Sequence, residues 1–149
     1  VNNEVGRVVD LERISTMCKQ HNALCHADTV QSVGKAEIDL KELPIDFISA
    51  SAHKFHGPKG IGFAFMRKNS GLQPFLLGGE QERGMRGGTE SVYLIAGMAK
   101  ALEIAYSNLE AERAEISELK KYCLDQLYAA FPNAKLIGTE EGFYNIINR

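Results

Sequence analysis

The 149 residues are 44% apolar and 24% charged, a globular composition with enough apolar material for one core and a piece of a second domain. The formal net charge of −2 offers no basic field to recruit nucleic acid or an anionic membrane. No apolar run approaches the roughly 20 residues that span a bilayer, and no basic stretch leads into an apolar one as in a signal peptide.

Val1-Asn2-Asn3-Glu4 reads as the tail of a buried strand. Asp10 is placed to cap a helix running to about Asn22, with Leu11, Ile14, Met17 and Cys18 as its apolar stripe. Ala23 to Ala27 has strand length, with His26 expected as a buried structural histidine and Asp28 at the strand's C-terminal end. Thr29 to Lys35 reads as a loop or single helical turn ended by Gly34, and Leu40 to Leu43 as a turn stopped by Pro44. Ile45 to Ser51 is a second strand, with Lys54 just beyond it. Gly57-Pro58-Lys59-Gly60 is a turn by composition. The short connection makes Ile61 to Arg67 a third strand, antiparallel to its neighbour.

Leu77 to Thr89 holds five glycines and four charged residues, so an ordered but irregular loop is expected, held by ion pairs among Glu82, Arg83 and Arg86. Glu90 to Tyr106 reads as a helix, with Leu94, Ile95, Met98, Ala101, Leu102 and Ala105 as its apolar residues. A second long helix is expected from about Leu109 to Ala130, with the stripe Ile116, Leu119, Cys123, Leu127 and Ala130 and a stop at Pro132. Ala134 to Gly138 opens a small α+β element, and Phe143 to Arg149 reads as a further strand. With a cut strand at each end, the chain is expected to be a segment of a longer protein.

Strands alternating with helices indicate an α/β fold with a mostly parallel sheet and helices on both faces. Ligands in such sheets bind beyond the C-terminal strand ends, where Asp28 and Lys54 both fall. Cys18, Cys25 and Cys123 are odd in number and scattered. They fit a reducing cytoplasmic compartment better than a disulfide framework, and no CxxC or CxxH supports structural zinc. His53 and His56 lack further ligands nearby. Lys59 lacks the GxxxxGK[ST] frame, and Gly60-Ile61-Gly62 enters a strand rather than a helix, so neither is a nucleotide fingerprint.

The pentapeptide Ser51-Ala52-His53-Lys54-Phe55 carries the chemistry. Pyridoxal phosphate needs an amine for its aldehyde, an acid at its ring nitrogen, phosphate donors, and a polar group at its phenolic oxygen. Lys54 supplies the amine and Asp28 the acid. Ser51 and His53 are donors near the amine, and Gln31 lies within one turn of Asp28. Alone, Lys54 reads as a surface lysine, and the preceding Ser51 and His53 tilt it toward the cofactor; Asp28 alone stands evenly between a turn aspartate and a ring partner, and Gln31 alone reads as a solvated loop residue. Thr89, at the entrance to a helix, suits an anion.

Five stretches resemble the cysteine desulfurases of the NifS/IscS-like branch of the class V aminotransferases. They are Val1 to Gly6, His26 to Lys35, Ser49 to Lys54, Gly57 to Gly62 and Glu82 to Thr89. The resemblance covers nearly all of this chain but well under half of a family member. It implies the central part of a large domain of the pyridoxal phosphate fold type I over residues 1–106. Residues 107–149 would then be a linking helix and the beginning of a small C-terminal domain.

In the resembling proteins Lys54 would hold the cofactor, Asp28 would pair with the pyridine nitrogen and Gln31 with the phenolic oxygen. Ser51 and His53 would bind phosphate, and Asn3 would lie near the cofactor and the substrate carboxylate. Thr89 would reach the phosphate of a homodimer partner. The family's reaction takes sulfur from L-cysteine, leaving alanine and an enzyme persulfide. The sulfur passes to an acceptor or scaffold protein for iron–sulfur cluster assembly or tRNA thiolation.

The resemblance puts further phosphate-binding and ring-stacking groups before Val1, and the nucleophilic cysteine and a substrate-binding arginine after Arg149. This segment alone is therefore not expected to complete the reaction. A selenocysteine lyase or a transaminase of the same class, and a non-catalytic folding unit in which Lys54 binds nothing, stand as the alternatives.

Overall fold

A computed structural model describes residues 1–139 and 141–148. The Asp10 carboxylate accepts the Arg13 N–H at 2.9 Å and starts helix α1, Leu11–Gln20. Ile14 and Met17 of the expected stripe are exposed. The inward line is Leu11, Ser15 and Cys18, with Ser15 fully buried. Ser15 is small, and its hydroxyl donates to the Leu11 carbonyl at 2.6 Å. Its polarity is therefore satisfied within the helix and does not hold it at the surface.

Three strands form the sheet in the order β1 (His26–Asp28), β2 (Phe47–Ser51) and β3 (Gly62–Met66). β1 runs parallel to β2 with Asp28 level with Ser49, and β3 runs antiparallel with Ser51 level with Gly62. Both strands begin later than their apolar runs. Cys25 and Asp46 instead meet as a latch before the ladder: Asp46 Oδ2 accepts the Cys25 N–H at 2.8 Å, and the Asp46 N–H returns to the Cys25 carbonyl at 3.1 Å. Glycine is required at position 62, because a Cβ there would stand 2.2 Å from the Ala50 carbonyl oxygen.

His26 is exposed, not buried as expected. β1 is an edge strand, and alternation sets His26 and Asp28 on the face opposite Ala27. In β2, Ile48 and Ala50 are buried while Phe47, Ser49 and Ser51 on the other face are half-buried.

Two apolar clusters meet the Ile48/Ala50 face. One gathers Val33, Ala50, Ala52, Phe55 and Ala105, with Met98, Ala101 and Leu102 of helix α2 (Val92–Ser107) packed on it. The other gathers Cys25, Ile45 and Ile48, with Cys18 of α1 against it. Gly34 lies directly on Phe55: a Cβ at Gly34 would stand 2.6 Å from the Phe55 Cβ, and its φ of +76° suits glycine. Beyond β3, Arg67 ties down the loop before β2. Its Nε donates to the Ile45 carbonyl at 2.8 Å, and Nη2 to those of Leu40 and Leu43 at 2.9 and 2.7 Å.

Helix α3 spans Leu109–Ala130, as expected. Leu119 of its expected stripe is exposed and Lys120 is buried beside it. Lys120 Nζ donates to the carbonyls of Gly142 and Phe143 at 3.0 and 3.1 Å, so the ammonium folds inward as a clamp on the chain that follows. Burial pushes the Lys120 amine below the ordinary lysine range. The expected terminal strands are absent among the described residues. Residues 3–5 form a turn and 143–148 are turns and coil, because neither segment is paired in a ladder. They meet each other instead, with the Phe143 N–H donating to the Gly6 carbonyl at 2.7 Å. Arg149, the end of that expected strand, lies outside the described residues.

Candidate cofactor site

Asp28 and Ser51 close the C-terminal ends of two adjacent parallel strands. Asp28 is level with Ser49, and Ser51 lies two residues further along the same face. From strand spacing and rise, the Asp28 and Ser51 backbones are about 8 Å apart. The chain leaves β2 as a short 3-10 helix, Ala52–Phe55, that carries His53 and Lys54. Its core-facing residues, Ala52 and Phe55, are buried, while His53 is exposed and Lys54 half-buried. Burying Ala52 and Phe55 therefore fixes the backbone on which His53 and Lys54 stand.

The segment after β1 is held just as firmly. Thr29 is fully buried, and both its N–H and its hydroxyl donate to the Ser49 carbonyl, at 2.9 and 2.8 Å. Asp28 Oδ1 accepts the Val30 N–H at 2.9 Å, which orients the carboxylate at the strand end. The N–H groups of Ser32 and Val33 return to the Thr29 carbonyl, both at 2.9 Å, making the expected helical turn around Gln31. Gln31 is half-buried on that turn.

Two residues were missed in the sequence reading. Thr29 stitches the β1 exit to β2; a threonine directly after a strand-end aspartate was the available signal. Lys35 is half-buried near Lys54. Burial pushes its amine down from the lysine range, the Lys54 charge adds to that, and Glu112 opposes it. The Gly34-Lys35 pair ends the resembling stretch His26 to Lys35, yet nothing in the sequence indicates that the lysine turns inward.

Asn3 and Thr89 stand apart from this group. Asn3 is exposed in the turn at residues 3–5, and Thr89 is exposed just before α2. Neither hydrogen-bonds to Asp28, Gln31, Ser51, His53 or Lys54. The glycine loop is irregular as expected, with Glu82 and Arg83 both at positive φ. The expected ion pairs of Glu82, Arg83 and Arg86 do not form; the described ion pairs are Lys100–Glu103 and Lys121–Asp125. Glycine backbone lets side chains bond the loop's own amides instead: Gln81 Oε1 accepts the Gly88 N–H at 3.1 Å, and Glu90 Oε1 the Glu82 N–H at 3.3 Å. Leu72, Phe75, Leu76 and Leu77 before the loop, and Val92 and Tyr93 after it, are exposed.

An amine, a carboxylate, a hydroxyl, an imidazole and an amide thus gather at the ends of two paired strands. They suit an aldehyde-bearing, phosphorylated pyridine. None of the three cysteines is among them. Cys18 and Cys25 sit before the opposite end of β1, and Cys123 is on α3. A cleft of about 490 Å³ lies elsewhere, along α3, and is lined by Lys120, Leu124, Tyr128 and Tyr144.

Comparison with known proteins finds relatives along nearly the whole chain. The profile of the aminotransferase class-V family matches residues 1–148. A cysteine desulfurase IscS of Clostridium botulinum is 39% identical over 140 residues, covering 94% of this chain and 35% of that protein. The chain thus spans about a third of the length of the curated relatives it matches. A solved NifS-like protein superposes with a TM-score of 0.89 at 39% identity, over 95% of this chain and 39% of that one. SspA in complex with cysteine superposes at 0.66 and 45% identity, over 69% of this chain and 30% of that one.

Proposed function

Because the chain belongs to the class V aminotransferase family, in its NifS/IscS-like branch, we propose that it is the cofactor-binding part of a pyridoxal phosphate-dependent cysteine desulfurase. The observation that carries this reading is the pairing of β1 with β2 in parallel register, which sets Asp28 and the Ser51–Lys54 turn side by side. The bound cofactor would supply an electron sink for a substrate carbanion.

The chain's own residues have separate tasks. Lys54 would hold the aldehyde carbon, and its amine would serve as the base for the substrate's α-proton. The Asp28 carboxylate, oriented by the Val30 N–H, would keep a proton on the ring nitrogen. Gln31 would donate to the phenolic oxygen, and Ser51 and His53 would donate to the phosphate. Asn3 lies toward the substrate carboxylate in this reading. The substrate is L-cysteine, the products are alanine and a persulfide, and an acceptor or scaffold protein takes the sulfur toward iron–sulfur cluster assembly or tRNA thiolation.

The protein acts as a homodimer, with Thr89 reaching the partner's phosphate. The exposed Phe75, Leu77, Val92 and Tyr93 beside the glycine loop support that surface. No described helix is long and apolar enough to cross a membrane, and a cytoplasmic setting completes the reading.

Addition of pyridoxal phosphate, followed by its absorbance spectrum, tests the site. A yellow band that is lost in Lys54→Ala and blue-shifted or weakened in Asp28→Ala is expected. A folded chain that gives no band favours the non-catalytic folding unit for this segment, and a band indifferent to Lys54→Ala would overturn the assignment of the amine.

A further inference from the structure

Cys18 and Cys25 fall outside the cofactor site and are brought together by the fold. Helix α1 ends at Gln20, and the chain reverses at once. The His21 N–H reaches the Cys18 carbonyl at 3.1 Å, Asn22 takes a left-handed φ of 53°, and the Ala23 N–H returns to the Cys18 carbonyl at 2.8 Å. This reversal lays Cys25 back against the helix, and Cys18 packs on the cluster that Cys25 forms with Ile45 and Ile48. The Cys25 backbone is fixed on both sides by Asp46, so this half of the pair does not drift.

The two thiols differ in access. Cys25 is 5% exposed, whereas Cys18 is partly open to solvent. Burial, the neighbouring Cys18 thiol and the Asp46 charge all push the Cys25 thiol up. A reachable thiol beside a sheltered one is the arrangement in which a first oxidation is resolved within the molecule. Cys123, on α3, has no such neighbour among the described cysteines.

We propose that Cys18 and Cys25 are a reversible dithiol–disulfide pair, oxidised by hydroperoxides, that fastens the end of α1 to the entry of β1. The Cys18 sulfur attacks one oxygen of the hydroperoxide, the O–O bond breaks, and an alcohol or water leaves. The Cys25 sulfur then attacks the Cys18 sulfenic acid. The S–O bond breaks, the S–S bond forms, and water leaves with the Cys25 proton. The two thiols lose two electrons and two protons to the peroxide, and a dithiol reductant reverses the change. The proposal is independent of the cofactor reading, because it involves none of the residues at the strand ends.

The test is hydrogen peroxide titration of the whole chain, followed by alkylation in denaturant and peptide mapping. A linked Cys18–Cys25 peptide lacking two hydrogens is expected, with Cys123 alkylated and all three thiols recovered after dithiothreitol. In Cys25→Ser, dimedone should trap a sulfenic acid on Cys18. In Cys18→Ser, the same peroxide dose should leave Cys25 reduced. Oxidation of Cys18 to sulfinic acid with Cys25 fully alkylatable, or disulfides formed only between molecules, overturns the proposal. So does oxidation of Cys25 in Cys18→Ser.

Discussion

The sheet with α2 and the tract formed by α3 with residues 131–148 are built by different rules. The first closes on apolar side chains, with Phe55, Ile45 and Ala52 essentially removed from solvent. The second closes on fewer apolar side chains and adds a polar clamp. α3 buries only Leu109, Lys120 and Leu124 over its 22 residues, and Lys120 holds the following chain through carbonyl oxygens. The Tyr144 hydroxyl, buried beside it, has no hydrogen-bond partner among the described residues. An apolar core fixes position through shape and tolerates little loss of volume. A polar clamp fixes position through a few bonds and leaves more of its surface open. The candidate cofactor residues all stand on the first kind of foundation, except Asn3 and Thr89.

The largest expected break in this contrast is Phe55→Ala. It empties the site under the Lys54 turn and should cost roughly 3–5 kcal/mol, measured by urea unfolding. Arg67→Met should cost about 2–4 kcal/mol, because three carbonyls before β2 lose a charged donor. That loss should leave the spectrum of any bound pyridoxal phosphate unchanged wherever the chain is still folded, since Arg67 lies at the other end of the sheet. Lys120→Met should cost about 1–2 kcal/mol, with faster amide hydrogen exchange confined to residues 141–148. Exchange that quickens across the sheet as well would show the two regions to be one cooperative unit. Tyr144→Phe is the smallest change and has the opposite sign. Removing an unpaired buried hydroxyl should stabilise by up to about 1 kcal/mol, read as a rise in Tm.

Local rules made much of the first region legible. The Asp10 cap, the Gly57–Gly60 turn, the antiparallel return of β3 and both ends of α3 all follow from short-range chemistry. Asp28 and Lys54 were legible because strand ends can be read from apolar runs followed by a polar stop. The errors came where tertiary context decides. Apolar spacing nominated Ile14, Met17 and Leu119, yet Ser15 and Lys120 are the buried residues, each satisfied by carbonyls that no sequence pattern announces. His26 stood in an apolar run, but its strand lies at a sheet edge. The terminal segments have strand composition and no strand to pair with. The charges of the glycine loop suggested ion pairs, whereas side chains bonding the loop's own amides do that work.

The contact of Gly34 with Phe55 couples the two loops that carry the candidate chemistry. One loop leaves β1 from Asp28; the other leaves β2 toward Lys54. With the Gly34 backbone set against the Phe55 side chain at their crossing, the two loops have no room to close further on each other. Even one methyl group added at Gly34 would act as a wedge. It would alter the gap between the Asp28 and Lys54 loops without touching either residue.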